Sequence, residues 1–180
     1  MTLSETDAKL FYELWFPLLD YVNEKRKINK KLGKIYGAVR VDPEKVKEIA
    51  NSLWEKPEII DSYLVRENEL SEEHRRIISG WKRCVTDDFY LERHLKKGSI
   101  FISSKEDVYQ VSGIITSWED MFWYREPPIL MKATLIPFKD VIITDGLVFP
   151  YNVVFGSGLR QDLKDTYMIA KKNRKIQRTL

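Results

Sequence analysis

Apolar residues in the first half of the chain recur at three- and four-residue steps. Leu10, Phe11, Leu14, Trp15, Leu18, Leu19 and Val22 form one stripe, the spacing of a helix with a single buried face. Ahead of the stripe, Ser4 or Thr6 offers a capping oxygen, and Glu5 and Asp7 suit the positive end of a helix. Pro17 lies inside the stripe. It lacks an N–H and crowds the preceding turn, which predicts a kink or a break near Trp15 or Phe16. Lys30 to Arg40, with Gly33 and Gly37, predicts a loop. Asp42-Pro43 then predicts a helix start, because Asp caps and Pro fits the first turn. Val46, Ile49, Ala50, Leu53 and Trp54 give its buried face. Ile59, Ile60, Tyr63 and Leu64 follow Pro57 as a further helix. Ser71-Glu72-Glu73 opens another, with Ile77, Ile78, Trp81, Cys84 and Val85 as its apolar positions.

Near Thr86-Asp87-Asp88 the period changes from helical to two. Phe89, Leu91 and Leu95 fall on one side of a strand, and Tyr90, Glu92 and His94 on the other. Lys96-Lys97-Gly98 reads as a turn, with Gly where a positive φ is wanted. Strands at Ile100–Ile102 and Val108–Val111 continue a meander, and Ser117 caps a short helix over Trp118–Phe122. Ile129–Ile136 predicts a longer strand that Pro137 ends. Asp145-Gly146, between Val141–Thr144 and Leu147–Phe149, predicts a hairpin. Tyr151–Phe155 extends the pairing. Gly156-Ser157-Gly158 leads into a last helix with Leu159, Leu163, Tyr167 and Ala170 inward, Ser157 capping it, and Lys171–Leu180 predicts a fraying tail.

Helices followed by strands and one closing helix predict an α+β fold. The expected parts are a helical region of about four helices, 1–86, and an antiparallel β part with a C-terminal helix, 87–180. Several short strands that must hide their edges predict a strongly bent sheet or a small open β-barrel. At 180 residues, 43% apolar and 12% aromatic, the chain can build a core and is not disordered as a whole. No apolar run approaches the roughly 20 residues of a membrane span. Glu5, Asp7, Lys9, Glu13 and Asp20 interrupt the first twenty residues, unlike the uncharged core of a signal peptide. A cytoplasmic location and no membrane partner are therefore expected. One cysteine, Cys84, excludes an internal disulfide.

The net charge of +3 is unevenly placed. Lys25, Arg26, Lys27, Lys30, Lys31, Lys34 and Arg40 fall in a stretch with no acidic residue. Lys171, Lys172, Arg174 and Lys175 crowd the C-terminal segment 159–178, and the remainder of the chain is net acidic. Two basic segments, 25–40 and 159–178, make nucleic acid an alternative partner.

Candidate chemistry is sparse. His74, Cys84 and His94 are spaced ten apart, without the close ligand pairs of a zinc site, so no metal and no cofactor is expected. Glu92 and His94 would share a strand face as an acid–base pair, with Asp145 and Tyr151 as further members of an enzymatic alternative. Gly156-Ser157-Gly158 lacks the third small residue of a dinucleotide fingerprint, where Gln161 stands, and the Gly-Lys-Ser/Thr of a P-loop. Trp118, Phe122, Trp123 and Tyr124, rimmed by Glu119, Asp120, Arg125 and Glu126, have the composition of a partner anchor. The primary expectation is thus a non-catalytic module that binds another protein or itself.

Two stretches also resemble a group of bacterial proteins of unknown function: Glu92-Arg93-His94-Leu95-Lys96-Lys97-Gly98, and Leu135-Ile136-Pro137-Phe138 followed by Ile142-Ile143-Thr144-Asp145-Gly146-Leu147. The likeness lies mostly in the C-terminal half. Its motifs are strands and turns, so the resemblance implies no activity, ligand or catalytic residue.

Overall fold

The computed structural model describes residues 1–38 and 41–180. Val39 and Arg40, and with them the end of the expected loop and of the first basic segment, lie outside the described residues. The chain divides into two compact units, Glu5–Arg83 and Met1–Ser4 with Cys84–Leu180. The order of elements is α+β, as the change of period implies. The first four residues belong with the sheet. Met1 O accepts from Gly113 N, and Leu3 N donates to Gly113 O, both at 3.1 Å.

In the helical unit, α1 (Glu5–Arg26) runs unbroken through Pro17. Of the expected kink or break, the break does not occur. Proline costs about 3 kcal/mol in a helix interior, and the buried residues on both sides of it, Leu14, Trp15, Leu18, Leu19 and Val22, supply more than that at about 1.5–3 kcal/mol for each large apolar side chain buried. Asp42 caps α2 (Pro43–Glu55) by accepting from Glu44 N at 3.1 Å. Helices α3 (Ile59–Arg66) and α4 (Glu72–Gly80) follow, the latter capped by Ser71 through His74 N. Trp15 and Trp54 stack at 5.3 Å, and Trp81, in a 3-10 turn after α4, meets Trp15 edge-on at 5.7 Å. Cys84 follows that turn, outside any helix, and is half-buried.

In the sheet unit, β1 (Val85–Leu95), β2 (Gly98–Ile102) and β3 (Val108–Val111) form the expected meander. After α5 (Trp118–Met121), β4 (Ile129–Phe138) pairs antiparallel with β1 from Ile129 to Leu135. Pro137 does not end β4 but pairs with Ile142. The β1 ladder has already stopped at Leu135, so the edge that lacks an N–H has no ladder to break.

The expected hairpin across Asp145-Gly146 is not formed. β5 (Val141–Thr144) turns back on β4 through Lys139-Asp140, with Phe138 opposite Val141 and Lys139 at φ 50°. Asp145 accepts from Leu147 N at 3.0 Å, and Gly146 has φ 82°. The turn chemistry is real, but it makes a corner: β6 (Phe149–Pro150) rejoins β4 further along, at Met131 and Lys132. Beyond Tyr151 N, which donates to Leu130 O at 2.9 Å, the expected pairing of Tyr151–Phe155 is absent from the described ladders.

Among the described residues the strands make one sheet of six. Its bonding closes a ring, β1-β2-β3-β5-β4 and back to β1, through the parallel pair Val111–Ile142. The inside holds Phe89, Leu91, Phe101, Val111, Met131 and Leu135, with Trp118 and Phe122 among them. Outside, α6 (Ser157–Lys172) covers β1–β3 by packing Leu163, Tyr167 and Ala170 on Ile100, Ile102 and Val108. Gly156, not Ser157, occupies its cap position. The tail does not fray. Gln177 N donates to Val108 O and Gln177 O accepts from Gln110 N, each at 2.8 Å, and Leu180 packs on the inner cluster.

Candidate functional site

The Glu92–His94 pair does not form. A β-bulge between Leu91 and Arg93 inserts Glu92 as an extra residue. Beyond it Arg93 lies opposite Ile100 and His94 opposite Ser99, the reverse of regular alternation. The Glu92 carboxylate accepts both Nε and Nη2 of Arg93, the latter at 2.7 Å, and the Arg93 guanidinium lies 4.1 Å over the Tyr167 ring of α6. His94 Nδ1 is 2.9 Å from Ser99 Oγ. Burial pushes the His94 pKa below its ordinary value, against a smaller opposing pull from Glu119. Asp145 holds the Leu147 amide, and the Tyr151 hydroxyl donates to Asp88 at 2.8 Å, which keeps that phenol protonated above its usual range. The four residues of the enzymatic alternative are thus engaged with four different partners. Among the described residues, no three His, Cys, Asp or Glu side chains are gathered as metal ligands, and no helix is long and apolar enough to cross a membrane.

The aromatic segment divides by helical phase. Ser117 caps α5, accepting from Asp120 N at 3.1 Å and donating to Asp120 Oδ2 at 2.5 Å. The i, i+4 spacing then sends Trp118 and Phe122 inward together, stacked at 6.3 Å, with Trp118 edge-on to Phe101 at 5.0 Å. Both are buried, so half of the expected anchor is barrel core. Trp123 and Tyr124 remain outside, 82% and 63% exposed, in edge-to-face contact at 5.9 Å.

A second apolar loop, Val153 and 91%-exposed Val154, is tied to the same segment. Arg125 Nη2 donates to Val153 O at 3.2 Å. Arg160, on the first turn of α6, donates from Nη1 to Pro127 O at 3.0 Å and from Nε to Phe155 O at 3.2 Å. The Phe155 ring packs against Tyr90 at 5.6 Å. Sequence reasoning missed the two arginines as braces and the valines as members of the surface. The signal for the valines was an apolar pair in a segment without an alternating pattern.

The basic candidates fall in both units. Arg26 is structural: it reaches Ser52 O and Oγ and, at 2.8 Å, Lys56 O, so it covers the C-terminal carbonyls of α2. Lys25, Lys27, Lys30, Lys31 and Lys34 are exposed. Lys171, Lys172, Arg174 and Lys175 are exposed at the end of α6, where positive charge complements the negative helix terminus.

No family model, curated protein or solved structure matches the chain. The surface is therefore to be read from its chemistry.

Proposed function

We propose that the chain is a non-catalytic protein-interaction module, anchored by Trp123 and Tyr124 with Val153 and Val154 beside them. The reading rests on one observation: Trp123 stands 82% exposed on a segment fixed by backbone hydrogen bonds and two arginines. A large side chain left in water forfeits roughly 1.5–3 kcal/mol of burial. Held on a braced loop, it has already lost part of the freedom that binding would otherwise cost. Such aromatic anchors carry most of the energy of protein interfaces.

The barrel itself favours the same reading. Leu163, Tyr167 and Ala170 of α6 cover the outer face of β2 and β3, so a partner has to dock elsewhere on the sheet unit. Glu119, Asp120 and Glu126 are exposed around the anchor, and the partner this fits is a protein with an apolar pocket rimmed by Lys or Arg.

The test is recovery of the tagged chain from its own cells, wild type against Trp123→Ala, with sedimentation of each alone. A protein, or a second copy, bound by wild type should bind the variant about 30-fold more weakly, the roughly 2 kcal/mol of an interface hot spot. Equal recovery of every bound protein by both forms refutes the assignment.

A further inference from the structure

We propose that the lysine loop after α1 is a contact site for single-stranded nucleic acid. This is a second surface, in the helical unit, and it does not depend on the Trp123 anchor. Lys27, Lys30, Lys31 and Lys34 are exposed within eight residues. Among the described residues, no ion pair engages any of them.

The neighbouring carboxylates are committed elsewhere. Asp20 accepts the backbone amides of Ile35 at 2.7 Å and Tyr36 at 3.1 Å. Glu24 is bound to Arg66 at 2.9 Å, whose hydrogen bond and charge hold its pKa below the usual carboxylate range. Asn23 and Asn29 exchange two further bonds, Nδ2 to the Asn29 carbonyl at 3.1 Å and the Asn29 amide to Oδ1 at 2.8 Å. The loop is thereby folded back on α1; Lys34 acts on Glu24 through charge alone, and none of the four ammonium groups is held in an ion pair among the described residues. Lys27 borders the negative end of α1, but Lys30, Lys31 and Lys34 lie past it, so the helix dipole does not account for them.

Two features select single strands among polyanions. Tyr36 lies on the loop and is 54% exposed. Beside it lies a cleft of about 400 Å³ with Pro17 and Leu32 as apolar wall and a polar lining of Asn23, Lys34, Arg66 and the carboxylates of Asp20 and Glu24, the two acids being bonded to the loop amides and to Arg66. An exposed ring beside cations is the arrangement that stacks unpaired bases while lysines follow the phosphates. A membrane is disfavoured because binding there needs an outward apolar face, whereas Ile35 is buried and Ile28 and Leu32 are half-buried. The C-terminal basic residues lack this combination, so the site is confined to the loop.

The experiment is fluorescence anisotropy of the full chain with a labelled oligo-dT strand at rising salt. Four phosphate contacts predict a slope of log K on log salt of about −3. The triple variant Lys30→Ala, Lys31→Ala, Lys34→Ala should bind at least tenfold more weakly and flatten that slope by about 2. Tyr36→Ala should weaken binding and leave the slope unchanged, which separates stacking from charge. Lys172→Ala with Lys175→Ala, and Trp123→Ala, should change neither. Circular dichroism establishes that each variant is folded. No binding at low salt, equal binding by the triple variant, equal affinity for a duplex, or binding to phosphatidylserine vesicles in place of the strand would each overturn the proposal.

Discussion

A half-buried imidazole held by a buried hydroxyl makes stability depend on pH in a definite direction. His94 is bonded to Ser99, which is 4% exposed, and burial lowers its pKa from 6.5. In the unfolded chain the same group titrates near its ordinary value of about 6.5. Between the two values the unfolded state binds the proton and the folded state does not, so stability falls as the pH drops. It is fully present above about pH 6.5 and is lost on the way down to the folded value. Urea unfolding of wild type and His94→Asn across that window should give a steeper acid loss for wild type. Parallel curves would show that His94 is not the titrating group. The sequence made His94 visible and misplaced its partner. The reading paired it with Glu92 because alternation was assumed to continue through β1. A bulge of one residue moved Arg93 to Glu92 and His94 to Ser99, and no residue type announces a bulge. The Trp118–Tyr124 segment was readable as aromatic, but which rings face in depends on the phase of a four-residue helix.

Elements in this chain were legible where a side chain acts on its own backbone. Asp42-Pro43, Ser71 and Ser117 all cap the helices they precede, because a cap is decided within three residues. Gly98 belongs to the same class. It has φ 124°, and a Cβ there would lie 2.8 Å from the Val111 carbonyl oxygen. Gly98→Ala should therefore destabilise the fold by about 1–3 kcal/mol, through strain at a φ that L side chains avoid and the displacement of β3. Chemical denaturation checks this, and an unchanged midpoint would mean that the β1–β2 turn can re-form with another φ. What the local code could not supply was the choice of partner strand. Asp145-Gly146 has the residues of a hairpin turn and makes a turn, yet Val141–Thr144 had a second candidate in the end of β4. Pairing there closes the ring through Val111 and Ile142. Partner choice is settled by the sheet as a whole, and a two-residue signal carries no information about it.

At the scale of the whole chain, both termini belong to the sheet unit, and the helical unit is spliced between Ser4 and Cys84. The last five residues look dispensable by composition: they follow a cluster of basic residues, and Ile176 and Leu180 stand apart among polar neighbours. Their backbone says otherwise. β3 is edged by β5 only at Val111, which leaves Val108 to Gln110 with an unpaired edge that Gln177 fills with two bonds of 2.8 Å. Arg178 adds a bond from Nε to Gln110 Oε1 at 3.2 Å, while Ile176 packs under α6 and Leu180 on the inner cluster. Removing Ile176–Leu180 should then cost about 1–3 kcal/mol, because β3 regains an open edge and the inner cluster loses a wall. Calorimetry should find a Tm lower by several degrees, and light scattering should find new self-association through the exposed strand. A truncated chain that melts with wild type and stays dispersed would place the tail outside the cooperative unit, and the ring would then be closed by β5 alone.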